Sequence, residues 1–311
     1  MGIFKNKIKL EDKEILRDYF DSYDYECSGA SFSSLYMWRN INEFTWQIIG
    51  DYLCVEGLSH LELEDGDEVH FMMPPMTATG TYDPEKLRLT IEEARSIFED
   101  AGVNFTIRLV PGHMLEMIRS AAPFMEYSED RPNFDYVYET MKFTEFRGRA
   151  LHSKRNHLNY FRKTYRYECV DLKPEMTEDI MEFIRRFNSH KDIPESEMKF
   201  LRMEEDAMED VFRNIDLLGC EGCAVLIEGR IEAIALGGWL GSNTIVEHIE
   251  KANTEYRGLY QQVLSEFCSR LSGRAEYINR EEDMDLDNLR QMKLSYKPVK
   301  LLDKYIGETT A

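Results

Sequence analysis

A histidine and a glutamate that could move a proton lie two positions apart in an apolar segment of the chain. Residues 244–251 read T-I-V-E-H-I-E-K, a pattern typical of a β-strand. Strand alternation predicts that His248 and Glu250 share one face and that Glu247 lies on the opposite face. An imidazole beside a carboxylate could accept a proton from an attacking amine. A structural ion pair at the edge of a strand accounts for the same two residues equally well.

The next turn, residues 252–260, could bind a phosphate group. It reads A-N-T-E-Y-R-G-L-Y and partly matches Q/R-x-x-G-x-G/A, with which acetyl-CoA-dependent enzymes of the GNAT class hold a pyrophosphate at a helix N-terminus. Gly258 fits this motif. Glu255 replaces the Gln or Arg and Tyr260 replaces the final small residue, so a carboxylate and a bulky ring both oppose a pyrophosphate. The match therefore argues against ordinary use of CoA, although Arg257 could compensate.

Two basic stretches stand out in an acidic chain of formal net charge −20. Residues 142–168 hold eight basic against two acidic side chains, a local charge of +6, and residues 290–304 hold five basic side chains against Asp303. The overall charge argues against non-specific binding to nucleic acid or lipid surfaces, which depends on neutralising phosphates. If both stretches meet in space, they form a positive pocket for a phosphate-bearing donor. Two solvated helix faces are the alternative.

The sequence also indicates a cellular compartment. Its first residues lack the apolar core of a signal peptide, and its longest weakly polar run, residues 231–241, is far shorter than the roughly 20 residues that cross a bilayer. We therefore expect a cytoplasmic protein without a transmembrane segment. Six dispersed cysteines predict no disulfide framework. Cys220 and Cys223 form a single CxxC without a second ligand pair, so we interpret them as buried thiols and expect no metal site.

The chain that must position these residues is long enough for two domains of roughly 150 residues each. We expect domains at 1–140 and 141–311. In the first domain, periodicity and turn residues predict helices at 11–19, 31–39 and 84–101 and strands at 44–49, 52–56, 69–73 and 104–110. In the second they predict, in order, a helix at 149–165, a strand at 167–172, helices at 175–188 and 197–214, a meander at 223–228, 231–240 and 244–251, a helix at 258–271, a strand at 275–279, a helix at 286–293 and a strand at 299–302. The fold class is α/β (α+β), and the second order is that of a GNAT fold.

Three motifs resemble a known bacterial family. They are G-R-A-L-H-S-K-R-N-H at 148–157, H-I-E-K-A-N with R-G-L-Y within 248–260, and N-R-E-E-D-M-D-L-D-N-L-R-Q-M-K-L-S-Y-K-P at 279–298. The sequence resembles proteins related to the C-terminal domain of phosphatidylglycerol lysyltransferase, which are similar in turn to the Fem peptidyltransferases. The resemblance implies two tandem GNAT-like domains with mixed, mainly antiparallel central sheets, and an active cleft between them or in the second.

The resemblance also implies roles for single residues. Lys293 and Arg290 match the relatives' terminal R-x-x-K segment, where a fixed ammonium would stabilise an oxyanion. Asp283 and Asp285 lie where that group carries acidic residues able to hold an α-amino group, although capping of the helix that begins near residue 286 explains them at least as well. The resembling segments assign donor or substrate binding to Arg149, His152, Lys154, Arg155, Asn156, Arg257, Gly258, Tyr260, Asn279 and Arg280, in addition to Asp283 and Arg290.

The function implied by the resemblance is acyl transfer. The expected reaction moves an aminoacyl group from aminoacyl-tRNA to an amine or hydroxyl acceptor, which could be a small molecule or a lipid headgroup, with tRNA as a partner and without a permanently bound cofactor. An acetyl-CoA-dependent small-molecule N-acetyltransferase is one alternative, with acyl-CoA as the co-substrate. A non-catalytic module that binds an anionic ligand or a protein is the other. The lysyltransferases also carry a large transmembrane region that has no counterpart in this sequence.

Overall fold

The structure, a computed structural model, describes residues 2–59, 69–189, 194 and 198–309. Its helices are α1 (Asp12–Asp21), α2 (Phe32–Trp38), α3 (Pro84–Asp100), α4 (Leu115–Ala121), α5 (Thr140–Thr144), α6 (His152–Thr164), α7 (Thr177–Ser189), α8 (Met198–Arg213), α9 (Ile215–Leu218), α10 (Leu259–Leu271) and α11 (Asp287–Ser295). Its strands are β1 (Asn6–Lys7), β2 (Thr45–Ile49), β3 (Tyr52–Ser59), β4 (Val69–Met72), β5 (Met76–Thr77), β6 (Thr106–Pro111), β7 (Met125–Glu129), β8 (Asp135–Glu139), β9 (Tyr167–Asp171), β10 (Cys220–Ile227), β11 (Arg230–Leu240), β12 (Thr244–Ala252), β13 (Tyr277–Asn279), β14 (Lys300–Leu302) and β15 (Lys304–Thr309). Glu197, where the predicted helix 197–214 begins, lies outside the described residues.

The chain divides into two compact units. The first comprises the described residues up to Asp135 together with Glu282–Asp285 and the residues from Leu302 onward. Its sheet has the order β1-β2-β3-β4-β6-β15-β7, with β5 paired to β3. The strand pairs are antiparallel except for β4 with β6. The last strand of the chain therefore completes the sheet of the first unit.

Local signals fix the helices of this unit. The Ser31 side chain accepts a hydrogen bond from the backbone N–H of Ser34 at 3.2 Å and caps α2. The Asp83 carboxylate caps α3, and Pro84 occupies its first position, where a missing N–H costs nothing. The predicted helix at 84–101 is confirmed to within one residue.

The second unit spans Tyr136–Glu281 and Leu286–Leu301. Its sheet has the order β14-β8-β13-β12-β11-β10-β9 and is mixed, because β12 and β13 are parallel while the β9-β10-β11-β12 run and the β13-β8 pair are antiparallel. The helices α5, α6 and α10 pack together over it, and α10 also contacts β10, β11 and β12. The buried aromatic core on this side is formed by Phe143, Phe146, Phe161 and Phe267. The predicted order of elements and the mixed α/β class are confirmed.

A helix that crosses a bilayer needs about 20 predominantly apolar residues. Among the described residues, no helix combines the length and the apolar character that crossing a bilayer requires.

Candidate active site

The site is built where two strands of the second unit part. β12 and β13 are paired for three residues, and the pairing ends at Val246 and Asn279. Beyond this point β12 continues to Ala252 along β11 alone. Side chains that follow the split on the two strands, from residues 247–250 and 280–281, contact one another. The parting of these two strands thus places polar residues together just beyond the end of their pairing.

A β-bulge decides which of these side chains meet. The register of β11 and β12 shifts at Gly237, which lies opposite Glu247, so that His248 is an extra residue on β12. A Cβ at Gly237 would lie 2.4 Å from a backbone oxygen of β12, which explains the glycine. The predicted alternation is wrong here, because a bulge interrupts the two-residue period. Glu250 shares its partner, Arg280, with Glu247 and not with His248.

Arg280 is the centre of a buried charge network. Its Nε donates to Oε2 of Glu247 at 2.5 Å, and an Nη2 hydrogen bond reaches Oε2 of Glu250. The exposed fractions of the three side chains are 4%, 3% and 11%. Arg280 Nη1, Glu247 Oε1 and Glu250 Oε1 are buried without a hydrogen-bond partner among the described residues. Because buried polar atoms are nearly always paired, each of these three atoms is able to make a further hydrogen bond to a water or to a polar ligand.

The surroundings of Glu250 in this network raise its pKa. Burial raises its pKa to about 8, and the neighbouring Glu247 adds to the increase, whereas the positive charges of Arg280, Lys293 and Lys154 oppose it. An ordinary glutamate is fully ionised at neutral pH, but Glu250 exchanges its proton within the physiological range. A carboxyl group with this pKa can act as a general acid or base.

The ring of Tyr296 contacts two cations beside the carboxylates. Lys154 on α6 places its Nζ 4.1 Å from the ring centroid of Tyr296, and the Arg280 guanidinium carbon lies 5.2 Å from the same centroid. Each cation is attracted to the face of the ring. Burial and the charge of Arg280 lower the pKa of Lys154, while Glu250 raises it. Lys154 is the half-buried cation of the site.

Lys293 is fixed more deeply. The residue is 7% exposed, and its Nζ donates to the carbonyl oxygen of Arg280 at 2.5 Å. The Tyr138 hydroxyl donates to the Lys293 carbonyl at 2.8 Å. The ammonium is therefore held rigidly against the backbone of the residue that binds both glutamates. Its predicted role at an oxyanion stays a prediction.

His248 has a separate partner. Its Nδ1 lies 3.0 Å from Oε1 of Glu281, and the His248 side chain is 1% exposed. The backbone N–H of Glu281 donates to Oδ1 of Asn279 at 2.9 Å. Glu281 has a φ of 56°, a left-handed conformation that costs a non-glycine residue roughly 1–2 kcal/mol. The strain is retained at the position that orients the imidazole, as is common at functional sites.

The turn between β12 and α10 is held by Gly258. This residue has a φ of 91°, and a Cβ placed on it would lie 2.2 Å from the carbonyl oxygen of His157 on α6. The glycine of the partial phosphate motif is thus required by a backbone contact with a helix. Tyr260, at the position of the motif's last small residue, is partly buried, and its pKa is raised by burial and by Glu250.

We expect Gly258→Ala to destabilise the second unit strongly. The left-handed backbone alone costs roughly 1–2 kcal/mol for alanine, and the contact with a backbone oxygen adds to this because neither main chain can move away freely. Thermal unfolding measures the loss. Gly273→Ala is the matched control, since Gly273 has a φ of 79° but a Cβ added there would meet no atom of the described residues within 4 Å. Equal losses in the two variants would contradict the close approach.

The remaining residues predicted on or near α6 lie toward solvent. Arg149 is exposed ahead of the helix, and Arg155 is half-buried on it. The Asn156 amide lies 3.3 Å from Nδ1 of His152 on the exposed side. Arg257 lies over the ring of Tyr160, with 4.7 Å between its guanidinium carbon and the ring centroid. Of the first basic stretch, Lys154 is therefore the residue whose contacts join it to the Arg280 network.

Asp283, which the resemblance implies could hold an α-amino group, is bonded to an arginine and to a backbone N–H. Oδ2 of Asp283 accepts from Arg131 at 2.9 Å, and its Oδ1 accepts from the backbone N–H of Asp285 at 3.0 Å. The N-cap position of α11 is Leu286, whose side chain makes no capping hydrogen bond, and both the α-amino role and the capping role of Asp283 and Asp285 stay predictions. Arg290 is half-buried on α11, where its N–H bonds the Leu286 carbonyl.

The sequence did not single out Glu247 or Tyr296 as site residues. Glu247 has an acidic side chain in an apolar strand, which was a usable signal, since a buried carboxylate needs a partner. Tyr296 lies within the third resembling motif, but nothing in its spacing indicated that it would bind two cations.

Comparison with known proteins gives a consistent result. The family profile described as "Phosphatidylglycerol lysyltransferase, C-terminal" matches residues 20–307. A crystal structure of a conserved protein of unknown function from Bacteroides thetaiotaomicron is 27% identical, covers 100% of both chains and has a TM-score of 0.87. The structure of L-PGS from Bacillus licheniformis is 11% identical, covers 99% of this chain and 94% of the other, and has a TM-score of 0.67, which shows a shared fold. The predicted fold class, with two mixed and mainly antiparallel sheets, is therefore confirmed, and the chain shares its fold with L-PGS.

A curated relative is also similar. An uncharacterized protein of Mycoplasmoides gallisepticum is 26% identical over 200 residues, which are 63% of this chain. The match spans 62% of that relative's length.

Proposed function

The chain belongs to the family of the phosphatidylglycerol lysyltransferase C-terminal domain, and from this premise we propose that its second unit catalyses acyl transfer, with aminoacyl-tRNA as the donor and an amine or hydroxyl as the acceptor. The observation that carries the proposal is the Glu250 carboxyl group. It combines a pKa raised to about 8 with a buried Oε1 that has no partner among the described residues. A base that is poised near neutral pH and has an unpaired oxygen suits the activation of a weak nucleophile.

The reaction needs a balanced movement of one proton. Glu250 takes the proton from the acceptor's N–H or O–H group as that atom attacks the ester carbonyl carbon of the aminoacyl donor. A new C–N or C–O bond forms, and the carbonyl oxygen carries a negative charge in the tetrahedral intermediate. When the ester C–O bond breaks, the ribose oxygen of the donor leaves and receives the proton from Glu250. The carboxylate is then restored for the next cycle.

Cations near the carboxylate suit the charge that develops on the carbonyl oxygen. Lys154 is half-buried beside Tyr296, and Lys293 is held by the Arg280 carbonyl. A fixed ammonium in a site with little water stabilises an oxyanion without reorganising during the reaction. We assign Arg280 and Glu247 a positioning role, because Arg280 bonds both carboxylates and limits the movement of Glu250.

An acyl-CoA donor fits these observations less well. Glu255 and Tyr260 oppose a pyrophosphate at the turn before α10, and Gly258 is already required by its contact with His157. The family relationship, together with the basic stretch around α6, favours a donor with a nucleic-acid backbone.

The test is a transfer assay with the purified protein. Aminoacyl-tRNA labelled in the amino acid is incubated with panels of amine and hydroxyl acceptors, and we expect protein-dependent release of the label from tRNA and its recovery in an acceptor product. Acetyl-CoA is tested in parallel, both as a donor and by thermal shift, where saturation at 100 times the dissociation constant stabilises by about 2.7 kcal/mol. Transfer from acetyl-CoA alone would replace the proposed donor. Tight binding of aminoacyl-tRNA without any turnover would favour a non-catalytic module.

A further inference from the structure

Aromatic and basic side chains form a surface beside the site that the chemistry above does not use. Tyr160, which is 41% exposed, projects from α6, and the Arg257 guanidinium carbon lies 4.7 Å from its ring centroid. Tyr165 and Tyr256 are half-buried against the core of the second unit. Tyr165 lies edge-on 6.4 Å from Tyr160 and 5.3 Å from Tyr256, centroid to centroid. We call these four residues the tyrosine platform.

The platform carries positive charge. Lys163 and Arg166 are exposed on the same segment as Tyr160, and Arg257 reaches Nδ1 of His157 at 3.4 Å. Burial, and then the charges of Arg257 and Lys154, lower the pKa of His157, as expected where cations gather. These residues fall in or against the stretch of local charge +6, within a chain whose net charge is −20. The acidic residues Glu232, Glu228 and Glu255 lie near the Tyr256 end, so the positive side of the platform is that of Tyr160.

The platform is connected to the Glu250 site by two rigid elements. The turn that bears Tyr256 and Arg257 begins directly after β12, and Gly258 locks it against the carbonyl of His157. Along α6, Lys154 and Tyr160 are six residues apart, which is about 9 Å along the helix axis and about 120° around it. At about 3.4 Å per stacked nucleotide, that distance corresponds to roughly three nucleotides.

We propose that the tyrosine platform binds the single-stranded 3′ end of an RNA donor and directs its terminal ester toward Glu250. Exposed rings stack on unpaired bases of any sequence, and arginine adds stacking and phosphate contacts. This inference rests on the proposed function for its donor, but it names a surface that the reaction itself does not require. An anionic membrane is the less favoured partner, because the apolar side of α6, with Leu158 and Phe161, is buried and the exposed ring of the platform is a tyrosine, Tyr160.

The experiment measures binding of two RNA hairpins by fluorescence anisotropy. One hairpin ends in a four-nucleotide 3′ single strand, and the other has the same stem with a blunt end. We expect Tyr160→Ala to weaken binding of the overhang hairpin about tenfold and Tyr160→Phe to retain it, because stacking needs the ring and not the hydroxyl. Arg257→Ala should weaken binding and reduce the slope of log K against log salt by about one. Arg213→Ala, an exposed arginine on α8, is the matched control and should change neither.

The outcomes separate the two proposals. If the wild-type protein binds neither hairpin nor intact tRNA, the RNA donor of the proposed function is overturned together with the platform. If RNA binds equally well to the wild type and to Tyr160→Ala, or equally well with and without the overhang, only the platform is overturned. Loss of binding to vesicles containing anionic lipid in the same variants, with RNA binding unchanged, would assign the platform to a membrane and overturn it as an RNA site.

Discussion

Replacing Arg280 by methionine is expected to destabilise the second unit by about 3–5 kcal/mol, the usual cost of removing one partner from a buried ion pair. Glu247 and Glu250 would remain 3% and 11% exposed with no guanidinium between them. Two adjacent carboxylates in such a place cannot both stay ionised. At roughly 2–4 °C per kcal/mol for a chain of this size, thermal unfolding should shift downward by on the order of 10 °C.

The pH dependence of this loss has a definite sign. Without the positive charge of Arg280, the folded-state pKa of Glu250 rises further above its unfolded value. The contribution of Glu250 to the free energy of unfolding is then present at low pH and is lost as pH rises through the folded pKa. Arg280→Met should therefore be much closer to the wild type at pH 5 than at pH 9. The wild type should show a smaller decline of the same sign, because the pKa of Glu250 is already raised from 4.5 to about 8.

Two further variants isolate the charge effect. Adding Glu247→Gln and Glu250→Gln to Arg280→Met removes the repulsion, so the triple variant should recover most of the lost stability while remaining inactive. Arg213→Met deletes an exposed arginine that is also paired with two glutamates, Glu178 and Glu209, and should leave the unfolding midpoint unchanged. If Arg280→Met alone were as stable as the wild type at pH 9, this result would contradict the buried network.

Much of the fold could be predicted because its signals are local. The caps at Ser31 and Asp83 and the turn at Gly229 depend on a few neighbouring residues, and the meander follows from short apolar runs between turn residues. The order of elements in the second unit followed from these signals. Sequence reasoning also named Glu250, an acidic residue in an apolar strand, and Lys154, a residue of the first basic stretch.

The geometry of the site depends on longer-range effects. The bulge at His248 arises from the pairing of β11 with β12, and no local pattern in residues 244–251 reveals an extra residue. The left-handed backbone of Glu281, Met284 and Asp285 after β13 is equally hidden, because none of the three is a glycine. The addition of β15 to the first unit, beside β6 and β7, is a contact between segments almost 200 residues apart. The division at 140 stays a prediction.

The strongest effect on activity is expected from Glu250→Gln. The amide cannot take a proton from the acceptor, so kcat/KM for aminoacyl transfer should fall by about 10²–10⁴-fold, the usual contribution of a general base. The side chain keeps its size, and the loss of a buried negative charge relieves repulsion by Glu247, so stability should not fall. Unchanged thermal unfolding together with lost activity would separate a chemical role from a structural one.

The pH profile identifies the base more sharply than the loss alone. In the wild type, the pKa of about 8 at Glu250 predicts that kcat/KM rises with pH through about 8 and then levels off, because the ionised carboxylate is the active form. At pH 6 only about one hundredth of the carboxyl groups would be ionised, so the wild type and Glu250→Gln should converge as pH falls. Glu276→Gln, at an exposed glutamate before β13, should keep the wild-type profile. A rising limb that persists in Glu250→Gln would move the base to another group, and His248, with its carboxylate partner Glu281, is the residue to replace next.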